Sequence, residues 1–292
     1  MSHATEAPAT VSDLVAVPVL FVTLGAVGVY TGWKRRHIHA QMSAAESMPI
    51  RELSSPGVVE IDGTATPVDG AFAAPITGRD AVVAAWTVEE WDERGDTSRW
   101  REVARGVEAP AFEVDDGTAA VAVDHLSKRE TAEKWTQTTG VSAETGVRID
   151  DVLAEFDSFP VQATVGPDEE PPEGIRRLHD DHDLYADTGS VTNAVDIGRK
   201  HGRRRYTEGV VAPDESVYVL GRVEARDDPD RARIRPDDAV VTTPADGLFV
   251  VSNQDEATLE SKFDTAARTR LIAGAVAVVA GLGGLAYLFV PV

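Results

Sequence analysis

Two uncharged runs constrain this chain more than any other feature. Residues 14–33 (LVAVPVLFVTLGAVGVYTGW) are twenty in a row without a charge, enough to cross a hydrocarbon core as a helix. Residues 271–292 (LIAGAVAVVAGLGGLAYLFVPV) form a second such run. Lys34, Arg35 and Arg36 follow the first at once, and Arg268 and Arg270 stand just before the second. Both sets of positive charge lie on the side of the intervening segment. By the positive-inside rule that segment is cytoplasmic and both termini are outside, in a multi-pass cell-membrane protein. No basic cluster precedes the first run and no small-x-small site follows it, so a cleaved signal peptide fits badly. Trp33 beside Lys34 takes the position of an interfacial belt aromatic.

Each run carries small residues four apart: Gly28 and Gly32, then Ala277 with Gly281 and Ala280 with Gly284. Such spacing lets helix backbones approach in lipid, as a hairpin within one chain or as a homo-oligomer. Ordinary glycine and alanine content of membrane helices accounts for it equally well. Neither run holds an ionisable side chain, and no chemistry is expected inside the bilayer.

The segment between reads as mainly β. Residues 57–63 (GVVEIDG) are a short apolar run, and 80–91 (DAVVAAWTVEEW) a long strand with Val82, Ala84, Trp86 and Val88 on one face. Residues 111–124 (AFEVDDGTAAVAVD) predict a hairpin turning on Asp116-Gly117. Short Val-rich runs recur at 216–223, 239–243 and 248–252, broken by Pro, Asp and Gly. The spacing fits an antiparallel sandwich or a small barrel. A weak likeness of 57–65 (GVVEIDGTA) to 216–224 (SVYVLGRVE) hints at two related β-units. Residues 127–205 are polar and poorly periodic, expected as a linker, a long excursion or a partly mobile stretch, with a short helix near 173–179. Asn253 with Glu256 three residues on reads as a capping box opening one long helix from Gln254 through the second span. The expected organisation is therefore a short outer N-terminus (1–13), a span (14–33), a β-rich domain (34–253), a juxtamembrane helix (254–270) and a span (271–292).

Charge narrows the function classes. Acidic residues outnumber basic ones 49 to 28, giving a formal charge of −21, and the acids spread in pairs and triplets instead of one tail. Only five of the basic residues are lysine. This pattern fits adaptation to high salt, with an acidic face for a basic partner as the rival reading. Duplex nucleic acid is a poor partner for such a surface. The absence of cysteine rules out disulfides, thiolate zinc sites and cysteine nucleophiles.

Taken together, residues 50–91, 112–124 and 203–223 (RRRYTEGVVAPDESVYVLGRV) resemble the GIDE-domain family of MULAN-type membrane RING ubiquitin ligases. The resemblance runs through a Gly-bounded strand, the turn Ala74-Pro75-Ile76-Thr77-Gly78, a long strand, a hairpin, and Tyr206-x-Glu208 before a Pro turn and a strand. A span on each side of the domain is similar too. The resemblance implies ubiquitin-protein transferase activity. Yet a RING holds two zinc ions through eight Cys and His side chains, and this cysteine-free sequence ends at Val292 within its second apolar run. The expectation is a haloarchaeal-looking member lacking the RING, a non-catalytic binding or scaffolding module with an unidentified protein partner. The alternative is a transferase component whose catalytic module comes from another chain.

No catalytic, cofactor-binding or metal-ligating set is identified: there is no GxSxG, P-loop or GxGxxG. His179 and His182 share a helical face amid three aspartates, which a solvated acidic loop explains better than a metal site. The basic knot at 199–205 leads into Tyr206 and Glu208, and Arg203, Arg204, Arg205, Tyr206, Glu208 and Trp91 form the candidate surface for a partner or anionic lipid. Pairing of those arginines with nearby carboxylates is the competing use. Trp86 and Trp91, five apart on one strand, are expected on opposite faces, so at most one is fully in the core.

Overall fold

The computed structural model describes residues 11–43, 45–92, 99–124, 134–137, 145–182, 184, 202–245 and 247–289. In chain order the elements begin with helix α1 (Val11–Met42), then strands β1 (Glu46–Ser47), β2 (Gly57–Pro67), β3 (Phe72–Ala73), β4 (Asp80–Ala81) and β5 (Val83–Asp92). Next come β6 (Arg99–Glu108), β7 (Phe112–Asp115), β8 (Ala120–Val123), β9 (Lys134–Gln137), β10 (Gly146–Ile149), β11 (Val152–Glu155) and β12 (Val161–Val165). Helix α2 (Glu173–His182), strands β13 (Arg204–Val211), β14 (Ser216–Ala225), β15 (Ala239–Thr242) and β16 (Phe249–Ser252), and helix α3 (Glu256–Phe289) complete the chain. They separate into a helical unit and a β unit, Ala45–Glu256.

In the helical unit, α1 and α3 run 32 and 34 residues. Each is therefore about 50 Å long, against a hydrocarbon core of about 30 Å. Leu20, Phe21 and Leu24 on one helix, and Ile272, Val276 and Val279 on the other, stand exposed. Water would oppose that display and lipid tails would accept it. Both helices are long and apolar enough to span a membrane. The two backbones touch through glycine: a Cβ on Gly25 would lie 2.6 Å from the Gly274 carbonyl oxygen. Further along, a Cβ on Gly281 would lie 2.6 Å from the Pro18 carbonyl oxygen. Gly28 and Gly32 belong to this seam, whereas Ala280 faces outward. These small faces thus meet within the chain, as a hairpin of the two helices.

The β unit is built on one closed ring. A nine-stranded sheet runs β1-β2-β7-β8-β15-β14-β16-β11-β10, and β2 also pairs with β14. That extra pairing joins eight residue pairs, from Ser216↔Thr64 to Val223↔Gly57, and closes β2-β7-β8-β15-β14 into a barrel. Every contact round the ring is antiparallel except β8 with β15. This is a five-stranded Greek-key barrel of OB type. Val59, Ile61, Phe112, Val121, Val219 and Val241 contribute to its core. Each such side chain, fully buried, contributes about 1.5–3 kcal/mol. The likeness between 57–65 and 216–224 therefore marks two neighbouring strands of one barrel, not two β-units.

A second, wholly antiparallel sheet runs β12-β13-β5-β6-β9. It grows from two excursions, one between β2 and β7 and one between β8 and β14. Alternation along β5 sends Val83 and Ala85 into the main core and Trp86 and Val88 to the opposite face, under α2. Val82 departs from the expected face because the strand breaks there, between β4 and β5. Trp86 is fully buried, and the residue across from it is Gly106, where a Cβ would lie 2.4 Å from the indole. Helix α2 follows Pro171-Pro172, starts on Glu173, and buries Ile175, Leu178 and His179 at helical spacing.

Three local expectations change. The stretch 127–205 is not simply a linker: its described parts carry β9 to β12, α2 and the start of β13, while 127–133, 138–144, 183 and 185–201 lie outside the described residues. The β7–β8 hairpin closes with four residues, not two, and the Asp116 carboxylate accepts from the backbone N–H groups of Thr118 and Ala119. Helix α3 begins at Glu256, so Asn253 is no N-cap; its amide instead exchanges two hydrogen bonds with Asp157, at 2.9 and 3.0 Å.

Candidate functional site

Strand β13 carries most of the candidate residues, and its alternation sorts them onto two faces. Arg204, Tyr206 and Glu208 point to the α2 side and are buried. Arg205 lies on the other face with Glu89 and Trp91, and Arg203 stands just before the strand, its carbonyl accepting from the Trp91 N–H.

On the α2 side, Glu208 reaches the turn at 74–78. Its carboxylate accepts from the backbone N–H of Ile76 at 2.7 Å, the N–H of Thr77 at 3.0 Å and the Thr77 hydroxyl at 2.5 Å. Pro75 has no N–H to offer, and Gly78 takes φ +69°, the left-handed geometry that lets the turn close onto Ala74. On the other side of this turn, Gly174 of α2 comes so close that a Cβ would lie 2.8 Å from the Ile76 carbonyl oxygen. One carboxylate thus fixes a turn, and the turn receives a helix.

Tyr206 closes the same layer: its hydroxyl lies 2.8 Å from His179 Nε2. Burial, then the nearby Arg204 guanidinium, pull the His179 pKa down to about 4. Burial pushes the Tyr206 phenol up to about 12. Both groups are neutral near pH 7, so the pair acts as a hydrogen bond and not as a proton shuttle. Arg204 donates to Glu90 at 3.0 Å and to the Leu184 carbonyl. The His182 ring packs on Trp86 at 5.2 Å. The two imidazoles therefore serve packing, and among the described residues no group of three or more carboxylates and imidazoles is arranged to hold a metal.

On the opposite face, Arg205 makes a two-pronged pair with Glu89, the Nη2–Oε1 arm at 2.9 Å. Its guanidinium lies over the Trp100 ring at 4.6 Å, and Trp100 meets Trp91 edge-on at 5.3 Å. Trp91 and Trp100 are half-buried. Burial removes Arg204, Tyr206 and Glu208 from any surface a partner could touch, which corrects that part of the candidate set. Arg203, Arg205 and Trp91 keep partial exposure, whereas Lys200 and His201 lie outside the described residues. Two of the three described arginines of the knot, Arg204 and Arg205, bind carboxylates of their own sheet.

A second candidate was missed in the sequence. A cavity of about 470 Å³ opens between β2, the β7–β8 hairpin and the start of β14, lined by Asp62, Asp115, Asp116, Ser216, Gln254 and Asp255. Burial, then the charges of Glu256 and Asp255, raise the Asp62 pKa above the usual carboxylate range. Two residues before it in β2, buried Glu60 accepts from the Tyr218 hydroxyl of β14 at 2.7 Å. These acids come from three segments far apart in the chain, and nothing in their local spacing distinguishes them from other acidic pairs.

Comparison with protein-family models, with curated proteins and with solved structures returned no match for this chain.

Proposed function

We propose that this protein is a membrane-anchored, non-catalytic binding or scaffolding module. In this reading the β unit is cytoplasmic, the two spans hold it at the membrane from both ends, and the termini lie outside. The observation that carries it is the pair of glycine-seamed apolar helices that precede and follow the β unit in the chain. Lys34, Arg35, Arg36, Arg268 and Arg270 on the inner flanks support the orientation. The polar groups that looked most like chemistry support a structural role, because they hold a turn and a helix in place. Affinity purification of the full chain from native membranes at high salt tests the reading. It predicts recovery of a specific protein partner, and recovery of none would contradict it.

The second reading is a ubiquitin-transferase component of GIDE type. The coupling of Tyr206-x-Glu208 to the turn at 74–78 favours it, since those two motifs carry the family resemblance. With no thiolates for a RING in this sequence, the catalytic module would come from another chain. Co-purification of a RING protein or a ubiquitin-like modifier would favour this reading over the first.

A further inference from the structure

Helix α2 covers one face of the second sheet with little of its own to hold it there. At ten residues it is too short to persist alone in water, so it lasts only while docked. Its pairs Arg176 with Glu170 and Arg177 with Glu173 are solvent-exposed and add little. Docking buries Ile175 and Leu178 in one layer with Trp86, Val88 and Tyr206, and it buries His179 as well. An imidazole takes up its second proton in the mildly acidic range when water surrounds it. Here the side chain is only 7% exposed, with Nε2 2.8 Å from the Tyr206 hydroxyl.

The groups round His179 do not welcome that proton. From β13 the Arg204 guanidinium opposes it, and the same guanidinium donates to the Leu184 carbonyl just past α2. Glu90 of β5 is already paired with Arg204, and Glu208 of β13 is held by the turn at 74–78. On α2 itself Asp180 favours a charged ring, but burial and Arg204 outweigh it. The second imidazole of the helix, His182, packs on Trp86.

We propose that α2 is an acid-released strap: protonation of His179 lifts it from the sheet and uncovers Trp86, Val88 and Tyr206. Docked, the ring stays neutral; released into water, it accepts the proton, so acid depletes the docked state. The Greek-key ring takes no strand from this sheet and can stay closed while α2 leaves. The uncovered layer is apolar and aromatic, so acid turns a sealed face into an adhesive one. The proposal concerns the β unit alone and does not rest on the membrane reading.

Segment-resolved hydrogen exchange on the full chain in lipid nanodiscs tests it, between neutral pH and about pH 4, with rates corrected for intrinsic exchange. The His179 pKa falls from 6.5 to about 4 on docking, so α2 should lose protection about tenfold per pH unit across that window and about 300-fold in all. Strands β2 and β14 should keep theirs. His179→Phe should hold α2 protected throughout, and His182→Phe should leave the natural fall in place. Loss from α2 in step with β2 and β14 is global unfolding and overturns the proposal, as does no loss at all. That comparison within the natural chain decides the matter even where a variant fails to fold. An undiminished fall in His179→Phe, or its disappearance in His182→Phe, overturns the proposal too.

Discussion

Glu208 shows how one side chain can hold a local structure that the sequence leaves ambiguous. A carboxylate that accepts two backbone N–H groups and a hydroxyl replaces the water those donors would otherwise need. Glu208→Ala leaves those amides unmatched, at about 2–5 kcal/mol by the usual cost of buried unsatisfied donors. Urea titration of the full chain in detergent should show the loss, and Thr77→Ala, which keeps both amide bonds, should cost less. His179 makes a pH prediction. Its folded pKa, near 4, lies below the ordinary value of 6.5, so the folded chain binds fewer protons than the unfolded one. That contribution is complete above pH 6.5 and is lost as pH falls towards 4. The urea midpoint should fall across that window, and His179→Phe should shrink the fall. An equal fall in both proteins would remove His179 from the account.

At the scale of elements, legibility followed how local each constraint is. The spans could be read directly because lipid demands about twenty apolar residues in one unbroken run. Strands β2 and β5 could be read from apolar patterning over ten or more residues, and the short β7 and β8 because Asp116-Gly117 marks a turn between two matching runs. Strands β10, β11 and β12 could not, because four or five residues carry too little pattern, and Gly146 and Gln162 blur what there is. The strand spacing offered a small barrel as one of two architectures, but not which strands close it, since β2 and β14 lie about 150 residues apart and pair through an ordinary Val-rich register. The helix seam was half legible: Gly28, Gly32, Gly281 and Gly284 stood out by spacing, but an equally close approach joins Gly25 to Gly274, which did not. Gly274→Leu must push the helices apart, since even a Cβ would lie 2.6 Å from the Val29 amide nitrogen. The expected loss is about 1–3 kcal/mol, read as a lower thermal midpoint in detergent. Gly283→Leu is the control, because open space surrounds that position.

For the whole molecule, the account joins a Greek-key barrel with a side sheet to a pair of apolar helices, and treats the protein as a module held at a membrane. The orientation is the central claim, because it decides which compartment supplies the partner. Labelling of single cysteines with a membrane-impermeant maleimide tests it most directly. The account predicts that Ser2→Cys is labelled on intact cells and that Val68→Cys, exposed on the β unit, is labelled only after permeabilisation. Labelling of Val68→Cys on intact cells would place the β unit outside and contradict the account.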